Sequence, residues 1–321
     1  MKADLRPFGI AVGHATDQVG ATGCTVIRAI DAPFRASAHV IGRSTGSREL
    51  ALLDPVASND RVDAILLTGG SAYGLDAAAG VMQWMEEHGR GFPIGGGVVP
   101  IVPAAVLFDL APLGKFSSRP TPKMAYSACE LASASIVDEG SVGAGTGCTV
   151  GKAAGIAHAM KGGIGAAVAG VPGASAFAIA AVNAFGDVRD RHGAIIAGVR
   201  NDGGGFRGAE QMMAAGELDV RLGEGRNTTL AVVALDFVLT KVELQHVARS
   251  AMSAFFRRLS PAGSGVDGDV VFALCPRIGE SGSVLRAEAL AVAALEEAIE
   301  RGVRLATGRD GLPGLADSTP R

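Results

Sequence analysis

The chain has 321 residues, of which 48% are hydrophobic and only 5% aromatic, so its core must pack Ala and Gly closely rather than large rings. A formal net charge of −3 and the lack of a basic run argue against a nucleic-acid partner. Met1 to Pro7 lacks the apolar segment of a signal peptide, and the most apolar stretch, residues 98–108, is too short to span a bilayer. We therefore expect a soluble cytoplasmic protein with no membrane partner.

Cysteine and histidine spacing gives no sign of a metal site. The four cysteines lie far apart and form no CxxC pair, which indicates reduced, buried thiols. The six histidines show no HExxH motif and no other paired-ligand spacing.

Strands and two helices are predicted in the first half of the chain. The strands are short apolar runs, at residues 9–13, 22–30 and 62–67. A helix is predicted from about Ala72 to His88, because apolar residues recur at helical spacing and Gly89 ends it. Residues 92–109, rich in Gly and Pro, are typical of a connection. Thr121 as N-cap predicts a second helix that runs to about Glu139.

The second half alternates grouped strands with paired helices. The predicted strands are residues 164–169, 176–183 and 194–199. An exposed linker follows at 216–227, where proteolytic nicking is tolerated. The Thr240–Glu243 capping box opens a helix to about Leu259, and a last helix runs from about Ser283 to Glu300 before a loose tail from Gly308. This grouping favours a layered α/β sandwich over a regular βαβ repeat.

The glycine-rich run at residues 143–152 invites comparison with nucleotide-binding loops. A phosphate loop needs Gly where Thr146 stands, and Ser or Thr where Ala153 follows the lysine. The dinucleotide fingerprint fails because Cys148 takes the place of its third glycine. We interpret the run as a tight loop that carries Lys152 to a nucleophile, where a cation can lower a neighbouring pKa. A solvated surface lysine is the alternative.

The junction at Asn227 and Thr228 places a hydroxyl where a buried strand begins. A polar, Gly- and Arg-rich segment runs straight into the β-branched and apolar residues that start at Thr228. If the Asn227–Thr228 bond is cut, Thr228 carries its own base, since a free α-amino group titrates near ~8. An ordinary loop-to-strand junction is the alternative.

Three further polar residues suit acyl transfer. Asp267 and Asp269 open a predicted strand, and residues two apart on a strand face the same side, so the pair can orient the amine and hydroxyl of Thr228. Asn183, at the end of another strand, can donate a side-chain N–H to a developing oxyanion, which is worth roughly 3–4 kcal/mol in a pre-organised site. Polar turn and strand-start residues are the alternative.

Together with Ser71–Ala78 and Ser141–Gly147, these motifs resemble the self-processing family of DmpA-type β-aminopeptidases and NylC-type nylon-oligomer hydrolases. The resemblance runs from Gly9 to about Ala273, with the motifs in the family's order. Five residues fall on positions that matter in the nylon-oligomer hydrolases: Thr228, Asn183, Lys152, Asp267 and Asp269. The β-aminopeptidase branch uses Ser as nucleophile, with Ser and Glu downstream. The Thr nucleophile and the two Asp residues of this chain are similar to those of the nylon-oligomer hydrolase branch.

The resemblance implies a four-layer αββα sandwich like that of N-terminal nucleophile hydrolases. It implies one domain of residues 1–321 that cuts itself into an α chain, 1–227, and a β chain, 228–321. These stay together and assemble as homo-oligomers, usually tetramers of αβ units. The implied reaction is hydrolysis of a small amide or short oligoamide through an acyl-enzyme on Thr228, without a cofactor. A self-cleaving acyltransferase of the ornithine acetyltransferase type and an uncleaved binding protein are the alternatives.

Overall fold

Two five-stranded sheets dominate the computed structural model, which describes residues 1–111, 113–218 and 227–318. In chain order the strands are β1 (Ile10–Asp17), β2 (Thr22–Ala29), β3 (Phe34–Val40), β4 (Gly46–Arg48), β5 (Ala64–Thr68), β6 (Phe92–Ile94), β7 (Gly97–Val99), β8 (Ala104–Val106), β9 (Thr149–Val150), β10 (Met160–Lys161), β11 (Ile164–Val171), β12 (Ala174–Ala181), β13 (Asp187–Arg189), β14 (Ile195–Ala197), β15 (Leu230–Leu235), β16 (Leu259–Ser260) and β17 (Val270–Pro276). The α-helices are α1 (Ala78–Glu87), α2 (Pro122–Glu130), α3 (Ala209–Ala215), α4 (Lys241–Arg258) and α5 (Val284–Arg304). Short 3-10 helices lie at Arg6–Phe8, Leu50–Leu53, Ser71–Ala77, Gly143–Gly145, Ile156–His158 and Leu315–Ser318.

The two sheets pack face to face between two layers of helices. Side chains such as Leu67 from the first sheet and Phe177 and Phe272 from the second form the central core. Helices α1 and α2 cover the outer face of the first sheet, and α4 and α5 cover that of the second. Successive side chains of a strand point to opposite faces of its sheet, and each sheet is covered by the other sheet on one face and by helices on the other. Both faces of each sheet are therefore apolar. The predicted four-layer αββα sandwich is therefore confirmed.

Strand order places β15 inside the second sheet. The first sheet has the order β1-β2-β5-β8-β4 and the second β11-β12-β15-β17-β3. β15 pairs antiparallel with β12 and parallel with β17, where Leu230 lies opposite Val270. A bridge between Asn227 and Asp267 extends that parallel register toward the start of both strands. The residues just before β15 and β17 are thereby brought side by side.

Several sequence-based boundaries were wrong for identifiable reasons. The second helix ends at Glu130, not at about Glu139, because Ser133 is drawn into a backbone bridge with β1 through Val12. The predicted first helix begins as a 3-10 helix and becomes α-helical only at Ala78. The predicted connection at 92–109 contains β6, β7 and β8, the last paired with β5 in the first sheet.

In the second half of the chain, other observed boundaries also differ from the predicted ones. The strand expected at Thr228 begins at Leu230, and the two aspartates precede β17 rather than open it. The tail from Gly308 includes a 3-10 helix whose Ala316 N–H donates to the Ala306 carbonyl. Most of the predicted linker, residues 219–226, lies outside the described residues.

Helix ends follow the predicted chemistry more closely. Thr240 and Glu243 form both hydrogen bonds of a capping box at the start of α4, as predicted. α5 begins after Ser283, also as predicted, and carries an apolar stripe against the second sheet. Among the described residues, no helix combines the length and apolar character needed to cross a membrane.

Candidate active site

The peptide group joining Asn227 to Thr228 is buried at the start of β15. Asn227 is fully buried and Thr228 is 4% exposed. The carbonyl oxygen of Asn227 accepts a hydrogen bond from the Gly268 N–H at 2.8 Å and another from Oγ1 of Thr228 at 2.6 Å. The Thr228 N–H donates to the backbone oxygen of Asn183 at 3.0 Å. A hydroxyl therefore lies beside a carbonyl that a backbone donor already polarises.

The two predicted carboxylates flank Gly268 on the segment that leads into β17. Oδ1 of Asp269 accepts the N–H of Thr229, the residue after Thr228, at 2.7 Å. Oδ2 of Asp267 accepts the backbone N–H and the hydroxyl of Ser264, at 2.9 and 2.6 Å. Burial raises the pKa of Asp267. Burial, and then the charge of Asp267, raise the pKa of Asp269 to about 8.

Lys152 and Asn183 meet directly. Nζ of Lys152 donates to the backbone oxygen of Asn183 at 3.1 Å and to its Oδ1 at 2.9 Å. The backbone oxygen of Asn183 is thus shared by Nζ and by the Thr228 N–H. Burial lowers the pKa of Lys152 to about 7. At 7% exposure the lysine is not a solvated surface residue, which removes that alternative.

The side-chain amide of Asn183 is held at both ends. Its Oδ1 also accepts the backbone N–H of Thr149 at 3.0 Å, and its Nδ2 donates to the carbonyl of Phe108 at 3.2 Å. Asn183 is fully buried. The oxyanion role predicted for this amide stays a prediction. The donor that contacts the Asn227 oxygen here, Gly268 N–H, was not predicted.

Gly268 lies against the hydroxyl of Thr228. A Cβ at this position would lie 2.6 Å from Oγ1 of Thr228 and 2.8 Å from the oxygen of Ser44. A glycine between two aspartates is a sequence signal for close backbone approach, but it does not say which group approaches. Nothing in the sequence marked the segment after β3 as part of the site. Ser44, in that segment, nevertheless donates its N–H to the Asp267 carbonyl at 3.0 Å.

The structure thus brings the five predicted residues into one hydrogen-bonded and electrostatic group: Lys152, Asn183, Thr228, Asp267 and Asp269. The group contains a hydroxyl, a polarised carbonyl, a buried amine with a lowered pKa and two buried carboxylates. These are the parts that acyl transfer to a hydroxyl requires.

Known proteins similar to this chain are peptidases and amidases. The model of a family described as Peptidase family S58 matches residues 7–314. An uncharacterized aminopeptidase of Mycobacterium leprae is 40% identical over 283 residues, which cover 83% of this chain and 76% of that protein. A 6-aminohexanoate-oligomer endohydrolase of Paenarthrobacter ureafaciens is 28% identical over 277 residues, covering 83% and 72%.

A solved structure shares the fold. The L-aminopeptidase D-Ala-esterase/amidase of Ochrobactrum anthropi, described as a prototype of the serine aminopeptidases and a new variant of the Ntn hydrolase fold, superposes with a TM-score of 0.70. The match covers 93% of this chain and 84% of that one at 18% identity. The layered architecture described above therefore agrees with a known hydrolase fold.

Proposed function

The chain belongs to peptidase family S58 and is an amide hydrolase, and we propose that it cuts its own Asn227–Thr228 bond and then uses Thr228 as nucleophile. The family and the hydrolase class confirm what the sequence motifs predicted. One observation carries the proposal: the Asn227 carbonyl oxygen lies 2.8 Å from the Gly268 N–H and 2.6 Å from the Thr228 hydroxyl. Hydrolysis is favoured over acyl transfer to a second amine, because the family match is to peptidases.

Self-cleavage begins with attack of Oγ1 of Thr228 on the carbonyl carbon of Asn227. The hydroxyl loses its proton, and the Gly268 N–H stabilises the negative charge that develops on the Asn227 oxygen. The C–N bond then breaks, and the nitrogen of Thr228 takes up a proton. The product is an ester between Asn227 and Oγ1. One water hydrolyses this ester and leaves a carboxylate on Asn227 and a free amine and hydroxyl on Thr228.

Lys152 is the base that we assign to the first proton transfer. Its Nζ and the Thr228 nitrogen donate to the same oxygen of Asn183, so the amine lies close to the reacting residue. Its pKa, lowered to about 7 by burial, gives a substantial neutral fraction at pH 7 to 8. A neutral amine can accept the hydroxyl proton, whereas an ordinary lysine stays charged at that pH.

The freed Thr228 amine then serves as base in turnover. Its α-amino group titrates near ~8 in the absence of neighbours, which suits proton transfer near neutral pH. Oγ1 attacks the substrate amide, the amine product leaves with the proton, and water hydrolyses the acyl-enzyme ester. Asp269 supports this geometry because its carboxylate holds the N–H of Thr229. Asp267 is itself fixed by two hydrogen bonds from Ser264.

The substrate class that we propose is a small amide, short peptide or oligoamide that carries a free amine. Asp267 and Asp269 place two buried acidic groups beside the nucleophile, and the Lys152 amine, neutral when it acts as base, does not offset the negative charge of whichever one is ionised. A like charge at close range costs energy in a poorly solvated site, so a substrate carboxylate there is disfavoured. The names of the two relatives, an aminopeptidase and an oligoamide endohydrolase, support the same class.

An intact-mass measurement tests the self-cleavage. Purified protein should give two fragments, the smaller one beginning Thr-Thr-Leu-Ala at Thr228. Thr228→Ala should remain one chain. Cutting of this variant at the same bond would assign the cleavage to a contaminating protease and end the proposal.

A substrate panel tests the proposed preference for amides that carry a free amine. Matched amides with the amine free, acetylated or replaced by a carboxylate are offered to the processed enzyme, with 6-aminohexanoate oligomers included. The free amines should be turned over best, and folded proteins little or not at all. Best turnover of the carboxylates would refute the charge argument while leaving Thr228 as nucleophile.

We also propose that the processed units assemble as a homo-oligomer, a tetramer of αβ units, and act in the cytoplasm. Exposed apolar side chains on the outer helices, Phe256 at 60% and Leu285 at 74%, support assembly. The four cysteines are buried and free, which suits a reducing compartment. Light scattering at two protein concentrations measures the assembly, and a monomeric αβ mass would contradict it.

A further inference from the structure

Two further charged side chains, Lys161 and Asp109, are buried close to the groups that hold Asn183. They are 1% and 2% exposed. Nζ of Lys161 donates to the carbonyls of Thr146 at 2.9 Å and of Cys148 at 2.6 Å. Burying an ionisable group costs free energy unless hydrogen bonds compensate, so the polar partners of Lys161 and Asp109 show what keeps each side chain buried.

The Lys161 contact acts on a peptide group that also contacts Asn183. The carbonyl of Cys148 and the N–H of Thr149 belong to one planar trans peptide group, so they point in opposite directions. Lys161 holds the carbonyl at 2.6 Å, and the N–H donates to Oδ1 of Asn183 at 3.0 Å. A cation on the carbonyl polarises that peptide and strengthens the hydrogen bond at its other end.

Asp109 stands in the mirrored position at the other end of the amide. The carbonyl of Phe108 accepts from Nδ2 of Asn183 at 3.2 Å, and the N–H of the same peptide group is that of Asp109 itself. That carboxylate is anchored by the hydroxyl of Thr22 at 2.7 Å and the N–H of Gly70 at 2.6 Å. An anion beside the N–H strengthens the acceptor at the carbonyl end.

We propose that Lys161 and Asp109 are positioning residues that fix the orientation of the Asn183 side-chain amide through these two peptide groups. The Lys161 ammonium strengthens the Thr149 N–H as donor to Oδ1. The Asp109 carboxylate strengthens the Phe108 carbonyl as acceptor from Nδ2. The reversed amide would place Nδ2 against the Thr149 N–H and Oδ1 against the Phe108 carbonyl, opposing both pairs. The inference rests on the proposed function, in which Oδ1 of Asn183 accepts from Lys152, the base assigned to the Thr228 hydroxyl.

Steady-state kinetics of Lys161→Met and Asp109→Asn test the proposal. Both substitutions remove the charge and nearly keep the side-chain volume. Each should lower kcat and the self-cleavage rate by about 10-fold or more and leave KM within about 2-fold, because a misplaced catalytic group costs rate rather than binding. An asparagine at position 109 can still accept from the Gly70 N–H and pair with the Thr22 hydroxyl. Asp109→Asn therefore tests the positioning role even if Lys161→Met does not fold.

Lys241 offers a matched control. Its Nζ donates to three carbonyls, of Leu52, Ala57 and Asn59, beyond the other end of β15. Lys241→Met should lower Tm and leave kcat within about 2-fold. An equal loss of kcat in Lys161→Met and Lys241→Met would show a general structural defect and overturn the proposal.

Different results would refute the positioning role of Lys161 and Asp109 and the self-cleavage at Thr228. Normal kcat and self-cleavage in folded Lys161→Met and Asp109→Asn would refute the positioning role while the wild type still cuts itself through Thr228. Absence of cleavage in the wild type, or cleavage in Thr228→Ala, would instead refute the proposed function.

Discussion

Replacing Gly268 with alanine perturbs the nucleophile and the oxyanion donor with a single methyl group. The added Cβ would lie 2.6 Å from Oγ1 of Thr228 and 2.8 Å from the oxygen of Ser44. Ordinary contacts lie at about 3.5–4.0 Å, so either the hydroxyl or the Gly268 backbone must move by about 1 Å. The φ angle of Gly268 lies outside the left-handed region, so alanine adds no backbone strain of its own.

The expected loss follows from that displacement. A misplacement of about 1 Å in a reacting group can cost about 10²-fold in rate, or about 2.7 kcal/mol of activation free energy. Loss of the Gly268 N–H as donor to the Asn227 oxygen would add a comparable factor, since one oxyanion donor is worth about 10²–10³-fold. We therefore expect Gly268→Ala to slow self-cleavage by at least about 10²-fold.

The assay follows intact mass at successive times after a short pulse of expression. Gly265→Ala is the matched control in the same loop: among the residues that the structure describes, the atom nearest to its Cβ would be Nη1 of Arg43, at 3.8 Å, and its φ is also outside the left-handed region. It should cleave at about the wild-type rate. If folded Gly268→Ala, with a Tm near that of the wild type, also cleaved within about 3-fold of the wild-type rate, the geometry argued for the Asn227 carbonyl would be wrong.

Three further outcomes are expected. Thr228→Ser keeps a hydroxyl and should still yield two bands on a denaturing gel, whereas Thr228→Ala should yield one. Asp267→Asn and Asp269→Asn should each lower self-cleavage or kcat by ~10²-fold, because each removes a buried acid beside the nucleophile, and near-normal rates in both would reduce them to polar strand-start residues. Self-cleavage should rise with pH through about 7 and then level off as Lys152 loses its proton, and the initial rate between pH 5.5 and 9 measures this. A rate that falls over that range would contradict a neutral Lys152 as base.

Local chemistry in the sequence predicted helix starts well where short-range signals decide the structure, and it selected residues that the fold brings together; their catalytic roles stay predictions. The Thr240–Glu243 capping box is satisfied by neighbours three residues apart, so it could be predicted without knowing the fold. The abrupt strand after Thr228 and the aspartates before β17 carry equally local patterns. Their meeting was expected from the family resemblance, and the parallel pairing of β15 with β17 brings it about.

What could not be predicted depends on partners far away in the sequence. Residues after Glu130 suit a helix by composition, but pairing of Ser133 with Val12 overrides that preference. β3 was missed because its partner is β17, more than two hundred residues further along. The donor to the Asn227 oxygen is a backbone N–H, which every residue except proline carries, so no residue type marks Gly268 for that role.

The strand order β11-β12-β15-β17-β3 has a consequence for the enzyme if it is cut as we propose. Cleavage at Asn227 would leave β15 and β17 in the later piece, inserted between β12 and β3 of the earlier piece. Separating the two pieces would break the β12–β15 and β17–β3 ladders and the packing of α4 and α5, which belong to the later piece, on strands of the earlier piece. We therefore expect no exchange of pieces between molecules, so isotopically heavy and light enzyme mixed after processing should yield no hybrids. Each proposed β chain would stay with the α chain from which it was cut.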